Sequence, residues 1–164
     1  MLHHEIDRSA VPPLHPVDLY TEYFMSVKDR EGVLRASDYD PLDIPMLLPW
    51  LMVLDETSFR GAALHRFRFV GTRLCEILGA DFTGRSLSEA IAPTELERRL
   101  CEFDEVRSLR KQIYTRGGVP VPGREFIEIT RGVFPVVREG ERDVCQFHIV
   151  VAPAELRIQK SRAT

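Results

Sequence analysis

Residues 67–90 read Phe67-Arg-Phe-Val-Gly-Thr-Arg-Leu-Cys-Glu-Ile-Leu-Gly-Ala-Asp-Phe-Thr-Gly-Arg-Ser-Leu-Ser-Glu-Ala90. The stretch opens on the end of an alternating run, Arg66 to Val70, which reads as a strand with Phe67 and Phe69 inward and Arg66 and Arg68 outward. Leu74, Ile77 and Leu78 then share one side of a short helix, and Gly79 falls at the position after its end, where a positive φ is cheap only for glycine. Gly84 marks a turn, and Ser86-Leu-Ser-Glu89 is a capping box that opens another helix.

Working upstream, Leu47 to Leu54 is an almost continuous apolar run with Pro49 near its start, the pattern of a strand covered on both faces. Gly61 lies between it and Arg66–Val70, so the two segments read as a hairpin. Ser37 to Pro45 carries two prolines and several aspartates and reads as turns or one short helix. Leu19, Tyr20, Tyr23, Phe24 and Val27 recur at helical spacing, which gives an amphipathic helix over 17–27 ended by Gly32. Residues 1–15 show no steady period and read as a loose arm.

Downstream, Thr94-Glu-Leu-Glu97 is a second capping box, opening a longer helix with Leu96, Leu100, Phe103 and Val106 on one face. Gln112–Arg116 reads as a short strand, Gly117–Gly123 as a proline-punctuated loop, and Glu125–Thr130 as a strand with Ile127 and Ile129 on one face. Pro135 suits an edge or a bulge. Val144 to Val151 places Cys145, Phe147, Ile149 and Val151 on one side and Gln146 and His148 on the other. The implied division is an arm and helix over 1–36, a domain over 37–153 and a flexible tail over 154–164.

Two strands, a helical middle and three returning strands resemble the plan of PAS domains. Phe69-Val-Gly71, Leu78-Gly79 and Gly84-Arg-Ser-Leu87 carry the likeness. The upstream stretch Asp40-Pro-Leu-Asp-Ile-Pro-Met-Leu-Leu-Pro-Trp50 is similar to an element of a bacterial subgroup of short, stand-alone PAS-like proteins. The chain departs from many PAS domains in carrying Gly71 where they have Asn. The resemblance implies an α+β fold, a five-stranded antiparallel sheet with helices on one face, here with an extra N-terminal helix. It also implies a sensory or regulatory module in signal transduction.

Composition agrees with a folded domain. A chain of 164 residues buries roughly 68–70% of the surface its unfolded form exposes. A net charge of −3, with cations spread along the chain, argues against nucleic acid as a partner. No segment approaches the length of a membrane span, and no apolar leader opens the chain. Cys75, Cys101 and Cys145 are odd in number and far apart, which suits a reducing cytoplasm and no metal knuckle.

No G-x-S-x-G, phosphate loop or H-E-x-x-H occurs, so no catalytic residue and no cofactor is assigned. His65 and His148 would ligate a metal only by meeting in space, and His3-His4 reads as a mobile pair. Cys75 and Cys145 read as small core fillers. Glu95, Glu97, Glu102, Asp104 and Glu105, interleaved with Arg98 and Arg99, read as a solvated helix face.

PAS relatives bind ligands between sheet and helices. That space would be lined here by Phe67, Phe69, Leu100, Phe103, Ile127, Ile129, Phe147 and Ile149, with Arg73 at its mouth. An apolar lining calls for an uncharged or weakly polar small molecule, since a buried unpaired ion is costly. Phe126 belongs to the same aromatic set, which is equally the composition of a plain core. A protein partner is the other expected contact, and the 17–27 helix, with more apolar surface than a lone exposed helix needs, packs either on the sheet or on a second subunit as a homodimer surface. A ligand-free interaction domain is the alternative; a small enzyme on a cone-shaped α+β barrel with an inward Asp and His pair is the other.

Overall fold

The computed structural model describes residues 3–159. Seven strands form one sheet: β1 (His4–Ile6), β2 (Leu34–Arg35), β3 (Leu51–Phe59), β4 (Ala62–Val70), β5 (Ile113–Gly118), β6 (Glu128–Val137) and β7 (Gln146–Pro153). Their order is β1-β5-β6-β7-β3-β4, antiparallel throughout except that β2 runs parallel to β6. The long strands β3 to β7 are the five expected from the sequence. The two short ones come from residues 1–36, so the expected loose arm is stitched into the sheet. His4 to Ile6 pairs with Tyr114 to Arg116, and Asp7 accepts a hydrogen bond from the Ser9 amide. At the other end, Ile158 donates its amide to the Leu14 carbonyl at 2.8 Å and packs on the outer core, so the chain is docked as far as Ile158; 160–164 lie outside the described residues.

The sheet is open, not closed into a barrel, and its two faces carry separate cores. On the inner face lie α2 (Thr72–Leu78), α3 (Leu87–Ala90) and α4 (Pro93–Leu109), packed through Leu74, Leu87, Phe103 and Val106 against Leu54, Phe67, Val133 and Phe147. On the outer face lies α1 (Pro16–Val27). Its Tyr20 and Phe24 rings stand 4.7 and 5.1 Å from that of Phe134. The apolar stripe of α1 thus packs on its own sheet, the first of the two expected contacts.

Local sequence explains most boundaries. Pro16 occupies the first turn of α1, where it sacrifices no hydrogen bond, and the His15 ring accepts from the Val17 amide at 3.1 Å. Gly79 ends α2 at φ 85° as its position predicts. Glu89 accepts from the Ser86 amide at 2.8 Å, closing the predicted box at α3. The box predicted at Thr94 does not form, because α4 already starts at Pro93 and its cap is Ala92, two residues earlier.

Three strand readings change. Leu48–Trp50 forms a single tight turn around Pro49, and β3 starts only at Leu51. Pro135 lies inside the central strand β6, two residues beyond its last β5 pair (Ile113↔Val133) and just before its β2 pair (Leu34↔Val136), where the ladder leaves room for a missing donor. Between β3 and β4 the register shifts: Val53 faces Phe69, but Leu54 faces Phe67. Arg68 is the extra residue of a bulge, and one extra residue reverses the alternation beyond it. Phe67 thus points into the inner core, while Phe69 emerges on the outer face, 37% exposed.

Gly71 is fixed by a close approach. A Cβ there would lie 2.2 Å from the Leu48 carbonyl oxygen and 2.4 Å from that of Pro49. The turn before β3 presses on the β4–α2 junction, and Gly71 donates its amide to Leu51 at 2.8 Å. This accounts for the absence of an asparagine at that position. Among the described residues no helix is long and apolar enough to cross a membrane.

Candidate functional site

The inner face encloses a cavity of about 50 Å³ between the sheet and the three helices. Of the residues predicted to line it, Phe67, Phe103, Ile129 and Ile149 do so. Phe147 is buried behind them, its ring stacked on Phe103 with centroids 4.6 Å apart. Leu100 and Ile127 are half-buried and pack on the same core without reaching the cavity. Phe69 has left for the outer face through the bulge. Arg73 is exposed on α2 and pairs with Glu76 at 3.2 Å, one turn on, so it guards no mouth. Phe126 is 80% exposed and belongs to no core. Leu74, Ile77 and Leu78 complete the wall; their helical spacing was legible, but not that α2 turns this side toward the cavity.

The charges near the cavity differ from those expected. Arg99 and Arg131 both border it and are 3% and 4% exposed. Their heads converge on Glu102, which accepts from Arg99 at 2.6 Å and from Arg131 at 2.8 and 3.1 Å. Arg131 also donates to Thr115 at 3.0 Å. Burial alone would raise the Glu102 carboxyl, but Arg131 and Arg99 outweigh it and hold its pKa below the ordinary carboxylate range. Burial, together with the positive charge of Arg131, brings the Arg99 guanidinium down to about 10. The α4 face read as solvated therefore hides a buried ion triad, while Glu97, Asp104 and Glu105 remain exposed. The strand read from the sequence ended at Thr130, so Arg131 was given no face, and no signal within the sequence tied it to Glu102.

The histidines separate. His65 lies on the inner face, 3.4 Å from Glu56 and beside the Phe103 ring. Arg107 ion-pairs with the same Glu56 and with Asp104 at 2.5 Å. His148 is buried on the outer face, where Tyr20 and Tyr39 flank it, so the two share no site. Burial lowers the His148 pKa to about 3 and keeps the ring neutral. His3, read as mobile, stands 2.6 Å from the Gly118 carbonyl, and burial, reinforced by Arg99 and Arg131, lowers its pKa to about 3. Cys75 and Cys145 are half-buried and Cys101 is exposed. No group of three or more potential metal-ligating side chains occurs among the described residues.

An open sheet ordered β5-β6-β7-β3-β4, with the helical segment between β4 and β5 laid over one face and a small cavity beneath it, is the architecture implied by the resemblance. The family model for the PAS domain matches residues 15–125, more than half of the 164 in the chain. The chain belongs to the PAS domain family. The match starts at the residue capping α1 and stops before β6, so the two strands that complete the sheet lie beyond it. No curated protein matches the chain. Membership of this family makes it, in general terms, a sensory or regulatory module.

Proposed function

We propose that this protein acts in cytoplasmic signal transduction as a PAS sensor, responding to a small uncharged molecule held between sheet and helices, to a protein partner, or to both. The observation that carries the reading is the cavity bordered by Phe67, Phe103, Ile129 and Ile149. It is walled by apolar side chains, and the two arginines beside it are matched by two carboxylates, Arg131 pairing with Glu102 and Arg99 with Glu102 and, at 3.5 Å, with Glu95. A charged metabolite would meet no free counter-ion there.

Size sharpens the proposal. The cavity of about 50 Å³ is well below the ~150 Å³ that takes up benzene in an engineered core. A ligand is accordingly very small, or enters by moving α2 and α3 outward. The same tightness favours the second reading, a ligand-free interaction domain.

Melting temperature under xenon pressure, and with indole or benzene as larger probes, separates the two. A rise in the natural chain that disappears in Ala90→Leu, which fills the cavity from α3, supports the ligand reading. No rise with any of the three probes leaves the interaction domain.

A further inference from the structure

The outer face carries an open groove of about 780 Å³, within the ~300–1,000 Å³ typical of small-molecule sites. It lies between residues 36–48 and the outward sides of β3, β4 and β7. Val53, Gln146 and His148 form its floor, with Tyr39 and Leu48 along one wall and Phe69 on the other. None of these residues borders the inner cavity.

The floor is polar, buried and directional. Gln146 and His148 are 5% and 1% exposed. Asp55 is a carboxylate and only accepts, so the Gln146 amide nitrogen faces it at 2.8 Å. The Gln146 carbonyl then faces the His148 Nε2, which donates across 3.3 Å. The His148 Nδ1 is left as the acceptor for the Tyr20 hydroxyl at 2.5 Å. The network thus assigns both the amide orientation and the imidazole tautomer.

A primary amide has two N–H donors and two lone pairs. Asp55 takes one donor of Gln146 and His148 one lone pair, and nothing else among the described residues takes the remaining N–H or the remaining lone pair. A buried amide with half its capacity open costs stability unless water or a ligand completes it. Its natural complement is a flat group presenting an acceptor and an N–H side by side, the recognition that glutamine gives a base edge. The walls agree with a flat ligand. The Tyr39 ring stands edge-on to His148 with centroids 4.6 Å apart, and Phe69 is unusually exposed for its size at 37%. Charge agrees with a neutral one: Arg68 and Arg138 at the groove lie 3.4 and 3.6 Å from Asp55, and Glu139 adds a second negative charge.

We propose that this groove is a second ligand site, for an uncharged planar molecule bearing an amide-type edge (a carboxamide, lactam, imide or nucleobase), read by the Gln146 side chain between Tyr39 and Phe69. Uracil, nicotinamide and 2-pyridone are the probes, with phenol and benzoate as flat molecules lacking that edge. Binding is followed by NMR at the Gln146 side-chain amide and by fluorescence of Trp50, the single tryptophan, which lies two residues beyond Leu48.

At least one amide probe is expected to bind at about millimolar concentration or tighter and to shift the Gln146 signal, with Gln146→Leu weakening it roughly tenfold. Phe69→Ser leaves the floor intact and should weaken the same probe several-fold. If Gln146→Leu fails to fold, Phe69→Ser decides alone: loss of affinity upholds the site and unchanged affinity overturns it. Silence of all three amide probes, or equal binding by phenol or benzoate, also overturns it.

Discussion

The two faces of the sheet use polar residues in opposite ways. On the inner face charges are held at the margins, with Arg99, Glu102 and Arg131 at one end and Glu56, Arg107 and His65 at the other, and the middle is apolar. On the outer face the polar residues occupy the middle, where Tyr20, His148, Gln146 and Asp55 form one continuous chain beneath an open groove. Both faces are built from the same strands. What differs is the cover: three helices close the inner face, while α1 covers only part of the outer face and leaves β3, β4 and β7 partly bare. A sheet-and-helix domain can therefore present two sites of opposite chemistry, with the extent of helical cover deciding which is sealed.

The sharpest way to break this comparison is to empty the sealed face. Phe103→Ala or Phe147→Ala removes one ring of a stacked pair that is 1% and 0% exposed, and should cost about 3–5 kcal/mol in chemical denaturation. A loss below about 2 kcal/mol would mean that these rings border usable space instead of tight core.

The margin of the inner face comes next. Glu102→Ala leaves Arg131 with Thr115 alone and Arg99 with only its 3.5 Å pair to Glu95, two guanidiniums almost without solvent, and should cost about 3 kcal/mol. Denaturation midpoints at low and high salt check it. A neutral result at both would mean that water reaches the pair.

The outer face is tested by pH. His148 has a folded pKa of about 3, against ~6.5 when unfolded. Between those values the unfolded chain binds a proton that the folded chain refuses, so stability is complete above about pH 6.5 and falls as pH drops below it. The loss approaches about 1.4 kcal/mol per pH unit for this group. His148→Gln should flatten the curve of melting temperature against pH between about 4 and 6.5, leaving the residual slope of His3, His15 and His65, whose pKa values burial also lowers. An unchanged slope would show that the ring is reached by water.

The smallest effect belongs to the groove wall. Phe69→Ser should change stability by less than about 0.5 kcal/mol, as for a surface site, because the ring is 37% exposed. A large loss in a thermal melt would make Phe69 a structural residue and not a wall kept open.

What the sequence revealed depended on how far apart the interacting residues are. Gly79, Gly84 and the Ser86–Glu89 box were readable because each answers to neighbours within a few positions. Phe67 was placed correctly by alternation, and Phe69 was not, since a bulge at Arg68 leaves no mark in a period-two pattern. The same limit hid the buried triad: Glu102 and Arg131 are 29 positions apart, and Arg99 looked like any cation on a mixed helix. His148 read as an ordinary strand histidine because Tyr20, which satisfies it, is 128 positions away. Strands of two and three residues, β1 and β2, carry too few side chains to show a period at all.

The chain from Tyr20 to Asp55 also has a polarity. Each group passes its hydrogen toward Asp55, so the dipoles add head to tail and end on a negative charge that Arg68 and Arg138 hold in place. Such an array behaves as a unit: reversing the His148 tautomer at one end requires the Gln146 amide to turn over in the middle. Helix α1, which contributes the first hydroxyl, is thereby wired to the groove floor through proton positions, with no backbone shift needed. Tyr20→Phe, buried on α1 and far from solvent, should be felt as a change in the Gln146 amide resonances.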